Sequence, residues 1–158
     1  MRIVIVDDDV LISGALKIIL EAGEDVEVAG MGEDGEDAVA LYKKYKPDVL
    51  LMDIRMKKVS GLEAAERILA EYPEAKILLL TTFSDDEYIV KALKYGVKGY
   101  LIKQDYNSIL PALQAVQSGQ TVFGTEIMSK IPGLLQEKKH FDWEACEIGG
   151  SSISPRPP

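Results

Sequence analysis

The sequence contains one cysteine, Cys146, and no apolar run long enough to cross a membrane. A single cysteine excludes an internal disulfide and fits a reducing compartment. Three aspartates interrupt the apolar run at the N-terminus, a pattern that signal peptides do not have. We therefore expect a cytoplasmic protein without membrane contact.

Positive charge is also scarce: 18 Lys and Arg residues stand against 26 Asp and Glu residues, which gives a formal net charge of -8. This balance disfavours binding of the folded part to a nucleic acid backbone. The chain instead has 47% hydrophobic residues among 158, enough for one α/β core followed by a tail.

Short apolar segments alternate with helical patterns in the first 120 residues. The runs at 3–6, 49–52, 77–80 and 100–102 indicate buried parallel strands, and the alternating segment 26–29 indicates an edge strand. Helical periodicity, capping residues and terminating Gly or Pro residues predict a helix after each strand. The sequence thus predicts a flavodoxin-like (βα)5 three-layer sandwich, an α/β fold with the sheet order 2-1-3-4-5.

Polar side chains stand where four of the predicted strands end. They are Asp7, Asp8, Asp9, Asp53, Thr81 and Lys103. Ligands of open α/β sheets bind at the carboxyl ends of the strands, so these side chains are expected to form one site. The predicted order makes the first and third strands neighbours, which brings Asp7, Asp8 and Asp53 together.

Crowded carboxylates repel one another unless they share a cation or one of them holds a proton. No His or Cys stands nearby, and carboxylate oxygens are the ligands of hard ions such as Mg²⁺. We expect Asp8 and Asp53 to bind Mg²⁺ directly and Asp7 to act through water. The backbone carbonyl of Arg55 is a further candidate ligand.

Lys103 and Thr81 complete the expected chemistry. A fixed ammonium and a hydroxyl donor suit the oxygens of a phosphoryl group, and phosphoryl transfer depends mainly on positioning and charge neutralisation. An ionised aspartate is already a nucleophile. The set of side chains therefore predicts in-line attack by an aspartate on a phosphoryl donor.

These motifs resemble the receiver domain of two-component response regulators over about residues 1 to 118. The motifs that carry the resemblance are Val6-Asp7-Asp8, Asp53-Ile54-Arg55-Met56, Leu80-Thr81-Thr82 and Tyr100-Leu101-Ile102-Lys103. The motif at Asp53, together with Lys103 followed by Gln104, is similar to the NarL/FixJ (LuxR-type) subfamily.

The resemblance implies a role for each site residue. Asp53 would accept a phosphoryl group from a phosphohistidine on a sensor histidine kinase, with Mg²⁺ as the cofactor. Thr81 and Tyr100 would form the switch, in which the Tyr100 ring turns into space vacated by the Thr81 hydroxyl. The domain would be a signalling module rather than an enzyme in its own right, with phosphotransfer and autodephosphorylation as its only reactions.

Two features depart from the family pattern. Lys57-Lys58-Val59-Ser60 replaces the usual proline and glycine-containing turn, so donor docking or phosphate lifetime is expected to differ. Phe83 is bulky for a position that often lines the route of water to the phosphate. We expect slow autodephosphorylation, with faster phosphate loss in the Phe83→Ala variant.

We expect three segments: a receiver domain at 1–120, a linker at 121–148 with a possible short helix over 125–131, and a disordered or non-native tail at 149–158. In this subfamily a helix-turn-helix output domain normally follows the receiver. No such pattern follows Gln120, so we expect a fragment of a longer protein. That protein would bind DNA through the output domain as a homodimer promoted by phosphorylation.

Two other functions stay open. Asp7-Asp8-Asp9-Val10-Leu11 resembles the first motif of haloacid dehalogenase-type phosphatases, with Asp7 as nucleophile and Asp9 as acid/base. That function requires an acidic pair after the lysine, which the sequence lacks, and leaves Asp53 without a role. The other is an interaction module that is never phosphorylated.

Taken singly, several site residues have simpler interpretations. Asp9 and Arg55 would be solvated loop residues, Lys103 would snorkel from an edge strand, and Tyr100 would be part of the core. The segment 30–35 has the spacing of a dinucleotide fingerprint, but it follows the second strand and its acidic residues would repel a pyrophosphate. We interpret it as a glycine-containing turn.

Overall fold

The computed structural model describes residues 1–23, 25–81, 86–103 and 106–124. Within them strands and helices alternate along the chain. In order they are β1 (Arg2–Val6), α1 (Val10–Glu21), β2 (Glu27–Gly32), α2 (Gly35–Tyr45), β3 (Val49–Asp53), α3 (Gly61–Glu71), β4 (Ile77–Thr81), α4 (Asp86–Tyr95), β5 (Gly99–Ile102), a 3-10 turn (Tyr106–Ser108), α5 (Ile109–Gln117) and β6 (Val122–Phe123).

All strands are parallel, and the sheet order is β2-β1-β3-β4-β5-β6. The predicted order of the first five strands is confirmed. Each central strand is apolar on both faces, because alternate residues pack under different helices. On β3, Leu50 and Met52 join one core cluster while Val49 and Leu51 join the other.

The two clusters define the three layers. One lies under α2, α3 and α4, and the other lies under α1 and α5. The N-termini of α1, α2 and α3 are each capped by a side chain, from Asp9, Asp34 and Ser60 respectively. Among the described residues, no helix combines the length and the apolar character needed to span a membrane.

The prediction that residues 30–35 form a turn was wrong for its first half. Gly30, Met31 and Gly32 belong to β2, at the edge of the sheet. Their glycines serve close packing, because a Cβ on Gly32 would lie 2.6 Å from Cβ of Asp37 in α2. The glycines at positions 30 and 32 therefore indicate a close contact between α2 and β2 rather than a turn.

The sixth strand, β6, was not predicted. It pairs with β5, with Gly99 opposite Val122 and Tyr100 opposite Phe123, so β5 is not an edge strand as expected. It lies within the segment predicted as a linker. The rest of that segment from residue 125, with the short helix expected over 125–131, and the tail lie outside the described residues.

Candidate functional site

The predicted site residues meet at one edge of the sheet. Asp7 follows β1, Asp53 and Thr81 end β3 and β4, and Lys103 follows β5. Five polar or charged side chains are buried in the part of the chain that the structure describes, and Ser13 is the only one of them outside this set. Burial of polar groups is costly unless they are paired, so their concentration at one edge marks a site.

Lys103 connects the carboxylates of the first and third strands. Its Nζ lies 2.7 Å from Oδ2 of Asp7 and 3.1 Å from Oδ2 of Asp53. The ammonium is buried with both partners, which rules out the alternative that Lys103 snorkels from an edge strand. The geometry instead gives a fixed cation that faces two acids.

The pKa of Asp53 is raised above its usual value. Burial is the main cause, and the charge of Asp7 adds to it, while the charge and hydrogen bond of Lys103 and the backbone N–H of Arg55 oppose it. Burial alone would lower the pKa of Lys103. The hydrogen bond to Asp7 and the charges of both carboxylates outweigh that effect and raise it, so this lysine stays protonated.

Three carboxylates are placed to hold a hard metal ion. One oxygen each of Asp7, Asp8 and Asp53 lies within 4.8 Å of the others, and Asp8 is the most exposed of the three. Oδ1 of Asp7 accepts the backbone N–H of Asp9, and its Oδ2 contacts Lys103. Both oxygens of Asp7 are thus in contact with groups of the protein. An all-oxygen donor set fits Mg²⁺.

Asp9 has a different task. Its side chain accepts the backbone N–H groups of Leu11 and Ile12, at 3.0 and 3.3 Å, and so caps α1. It was predicted to be a solvated loop residue; it is exposed, but it fixes the start of the helix. The backbone N–H of Asp9 in turn donates a hydrogen bond to Oδ1 of Asp7 and so helps to orient that side chain.

The segment after Asp53, residues 54–60, is closed by backbone contacts that the sequence analysis missed. The N–H of Gly61 donates to the carbonyl of Ile54 at 2.7 Å, and that of Gly35 donates to the carbonyl of Val59 at 2.9 Å. A methyl group on Gly61 would overlap the carbonyl oxygen of Asp53. A glycine directly after the cap of α3, where better helix formers are favoured, was the available signal.

Two further residues of this segment have distinctive geometry. The guanidinium of Arg55 lies 5.5 Å from the centre of the Tyr88 ring in α4, a cation–π contact that was not predicted. Lys58 has a φ of 32°, a value that L-residues rarely adopt. The segment thus connects the site to α4 and carries a strained lysine.

Thr81 and Tyr100 lie on the same face of the sheet. Leu79 and Tyr100 belong to the core cluster under α2, α3 and α4, and Thr81 follows Leu79 by two residues. Tyr100 is fully buried, among the largest side chains in the core. The ring therefore has an inward position next to the strand that ends in Thr81. Phe83 lies outside the described residues.

A family model described as the response regulator receiver domain matches residues 3–114. The transcriptional regulatory protein DegU of Brevibacillus brevis is 38% identical over 164 residues, covering 100% of this chain and 68% of that protein. DesR of Bacillus subtilis (strain 168) is 41% identical over 132 residues, covering 83% of this chain and 65% of that protein. The chain thus spans about two thirds of the length of these relatives.

Solved structures give the same result. A LuxR-family two-component response regulator from Aurantimonas sp. SI85-9A1 aligns with a TM-score of 0.79 at 26% identity, covering 89% of this chain and 98% of that one. A LuxR-family DNA-binding response regulator from Staphylococcus aureus aligns with a TM-score of 0.70 at 26% identity, covering 73% and 98%.

Proposed function

Because this chain belongs to the response regulator receiver family, as a receiver domain of LuxR-family two-component regulators, we propose that Asp53 is its phosphoacceptor. The phosphoryl donor is a phosphohistidine on a sensor histidine kinase. The observation that carries the proposal is the contact of Asp53 with Lys103, in a cluster with Asp7 and Asp8. A buried nucleophile with a fixed cation and a metal-binding acid pair is what phosphoryl transfer requires.

The reaction is a displacement at phosphorus. A carboxylate oxygen of Asp53 forms the new P–O bond, the P–N bond to the donor imidazole breaks, and the imidazole takes up a proton as it leaves. Lys103 neutralises charge on the phosphoryl oxygens, and the Thr81 hydroxyl donates a hydrogen bond to one of them. Water attack on the resulting acyl phosphate releases inorganic phosphate and returns the free carboxylate.

Mg²⁺ is the proposed cofactor, held by Asp8, Asp53 and the backbone carbonyl of Arg55, with Asp7 acting through water. Bound there, it supplies positive charge to the phosphoryl oxygens and keeps Asp53 ionised despite its raised pKa. The three clustered carboxylate oxygens support this assignment.

Thr81 and Tyr100 are proposed to transmit the phosphorylation state. Movement of the Thr81 hydroxyl toward the phosphoryl group frees space into which the Tyr100 ring turns. The position of both residues on the α4 face of the sheet supports this route. The surface formed by α4, β5 and α5 would then change shape.

A protein partner has a ready surface beside the site. Leu11 and Ile18 of α1 are 81% and 74% exposed and lie on one helical face. Leu11 follows Asp9 by two positions, so this apolar face starts close to the site. This apolar stripe supports docking of the kinase.

We further propose a cytoplasmic location, which suits a chain with one cysteine, and a phosphorylation-promoted homodimer of the whole protein.

Transcription regulation is the proposed role of the whole protein, since DegU and DesR are named as transcriptional regulatory proteins. DNA would be bound through a part outside the described residues. The net charge of -8 agrees with a receiver that does not bind DNA by itself. Membership of the receiver family favours this function over a phosphatase, and Asp9 is accounted for as a helix cap.

Intact mass after incubation with acetyl phosphate and Mg²⁺ tests the proposal. Wild type is expected to gain one phosphoryl group, and Asp53→Asn is expected to gain none. Asp9→Asn is the matched control, because asparagine also caps helices. It should label like wild type, whereas the phosphatase function requires its acid/base and predicts loss of turnover. An unlabelled wild type, or a label that persists in Asp53→Asn, would refute the proposal.

A further inference from the structure

The segment 54–60 carries an unusual concentration of positive charge. Arg55, Lys57 and Lys58 are all exposed, in a chain whose net charge is -8. They follow Asp53 in the chain within five positions, and Asp53 is one of the three clustered carboxylates of the site. Three positively charged side chains thus stand within five positions of the proposed nucleophile.

Lys58 occupies a position that suits glycine better. Its φ of 32° lies in the left-handed region, where a Cβ crowds the backbone and glycine does not. The backbone is fixed on both sides, by the contact of Val59 with Gly35 and that of Gly61 with Ile54. Strain held in this way at a functional site calls for a reason outside the fold.

That reason is not an ion pair among the residues that the structure describes. Neither Lys57 nor Lys58 forms an ion pair or a side-chain hydrogen bond with any residue in the described ranges. By contrast, Lys43 in α2 pairs with Glu71. Both of these consecutive lysines are exposed, so their charges face the solvent.

We propose that Lys57 and Lys58 form an electrostatic guide that draws small anionic phosphoryl donors, of the acyl phosphate class, toward Asp53. This inference rests on the proposed phosphoacceptor role of Asp53. Lys103 balances only part of the charge of Asp7, Asp8 and Asp53, so further cations beside the site favour the approach of a donor that carries negative charge.

Distance and screening permit the effect. Lys58 lies five positions after Asp53 in the chain, which limits the distance between their Cα atoms to about 17 Å even for an extended chain. The closed segment brings them nearer, within reach of charges whose screening length is about 10 Å at ~0.1 M salt. Guidance of this kind raises the rate of encounter and leaves later steps unchanged.

The experiment measures the second-order rate constant for labelling of Asp53 by acetyl phosphate in the presence of Mg²⁺, followed by intact mass. The Lys57→Gln/Lys58→Gln variant is expected to react about fivefold more slowly than wild type at low ionic strength. The difference should fall below about twofold at ~0.5 M salt. With phosphoramidate, which is less negatively charged, the reduction should be smaller.

Three variants separate guidance from other effects. Lys57→Arg/Lys58→Arg keeps both charges and should react like wild type. Lys43→Gln/Lys44→Gln removes the same charge from the exposed end of α2, at the opposite edge of the sheet, and should also react like wild type. Lys58→Gly relieves the backbone strain, so it should unfold at no lower temperature than wild type and still react more slowly.

Loss of phosphate supplies the last readout, because water carries no charge to be guided. Dephosphorylation of the Gln variant should therefore match wild type. Equal labelling rates of wild type and the Gln variant, a reduction that persists at high salt, or the same reduction in Lys43→Gln/Lys44→Gln would overturn the inference while wild-type labelling left Asp53 as the phosphoacceptor. A wild type that takes no label would overturn both.

Discussion

The Lys103 ammonium and the Asp53 carboxylate lie 3.1 Å apart, although 50 residues separate them in the chain. The pair is buried, and the carboxylate of Asp7, also buried, lies even closer to the ammonium. A single cation thus balances two acids before a metal ion or a phosphoryl group is considered. Substitution of any one of these residues should therefore change the free energy of unfolding.

Removal of the cation should destabilise the protein. In Lys103→Met the acids Asp7 and Asp53 stay buried without their counter-charge, and we expect a loss of about 3 kcal/mol in the free energy of unfolding in metal-free buffer near neutral pH. The loss should be smaller at about pH 5, because the raised pKa of Asp53 lets it take up a proton. Urea denaturation measures the free energy of unfolding of this variant and of Lys44→Met, a control at an exposed position. Equal effects of the two substitutions would contradict the prediction.

The raised pKa of Asp53 also predicts the pH dependence of stability. An acid whose pKa is higher in the folded protein binds its proton more tightly there, so folding is favoured while it is protonated. That contribution is lost as pH rises from 3.8, the unfolded value, through the folded pKa. The raised pKa of Lys103 contributes stability below 10.5, which stays constant over this range.

Asp53→Asn removes the charge that folding must bury. In metal-free buffer we expect it to be roughly 1 kcal/mol more stable than wild type near pH 7.5, with the difference vanishing toward about pH 4. Denaturant titrations of both proteins across this range provide the measurement. A variant that is less stable than wild type near neutral pH would show that burial is not the dominant effect on Asp53.

Magnesium should stabilise the protein through the acidic cluster. Ion binding to the folded state alone adds about 1.4 kcal/mol at tenfold excess over the dissociation constant. Asp8→Asn is expected to lose most of this gain, since Asp8 contributes a ligand and makes no contact with Lys103. Asp25→Asn, an exposed acid elsewhere, should keep it. Thermal unfolding of the three proteins with and without Mg²⁺ measures this stabilisation. If Asp8→Asn were stabilised by Mg²⁺ as much as wild type, Asp8 would not be a ligand of the ion.

Glycine at position 61 is expected to be required by its close approach to the backbone of Asp53. In Gly61→Ala the methyl group overlaps the Asp53 carbonyl oxygen, so we expect a loss of about 3 kcal/mol. A methyl group on Gly14 in α1 would meet none of the described atoms outside its own helix within 4 Å, and Gly14→Ala should stabilise by about 0.5–1 kcal/mol. Chemical denaturation of both variants tests the contrast, and a Gly61→Ala variant as stable as wild type would disprove it.

Much of the site follows from local patterns in the sequence. Apolar runs specify strands that are buried on both faces, and the polar residue that ends each run must lie at the edge of the sheet. This reasoning placed Asp7, Asp53, Thr81 and Lys103 together, and the structure brings them there. It did not anticipate that Lys103 would be buried between two acids.

Contacts between distant segments were harder to foresee. Gly30 and Gly32 resemble turn residues, yet they belong to β2, and glycine is required there because side chains of α2 leave no space for a Cβ. The pairing of β6 with β5 and the stacking of Arg55 on Tyr88 likewise join parts of the chain with no shared periodicity. The left-handed backbone of Lys58 has no signal in its residue type, which predicts the opposite.

The amino-acid sequence alone specifies which residues are buried in strands, which stand at the strand ends, and therefore which chemical groups the site contains. Burial and alternation are local properties, and they are written in the order of apolar and polar residues. The three-dimensional structure was needed to show that Lys103 contacts both Asp7 and Asp53, and that Gly35 and Gly61 fix the segment after Asp53. Those relationships depend on the packing of elements far apart in the chain, where differences of one ångström decide whether groups bond or clash.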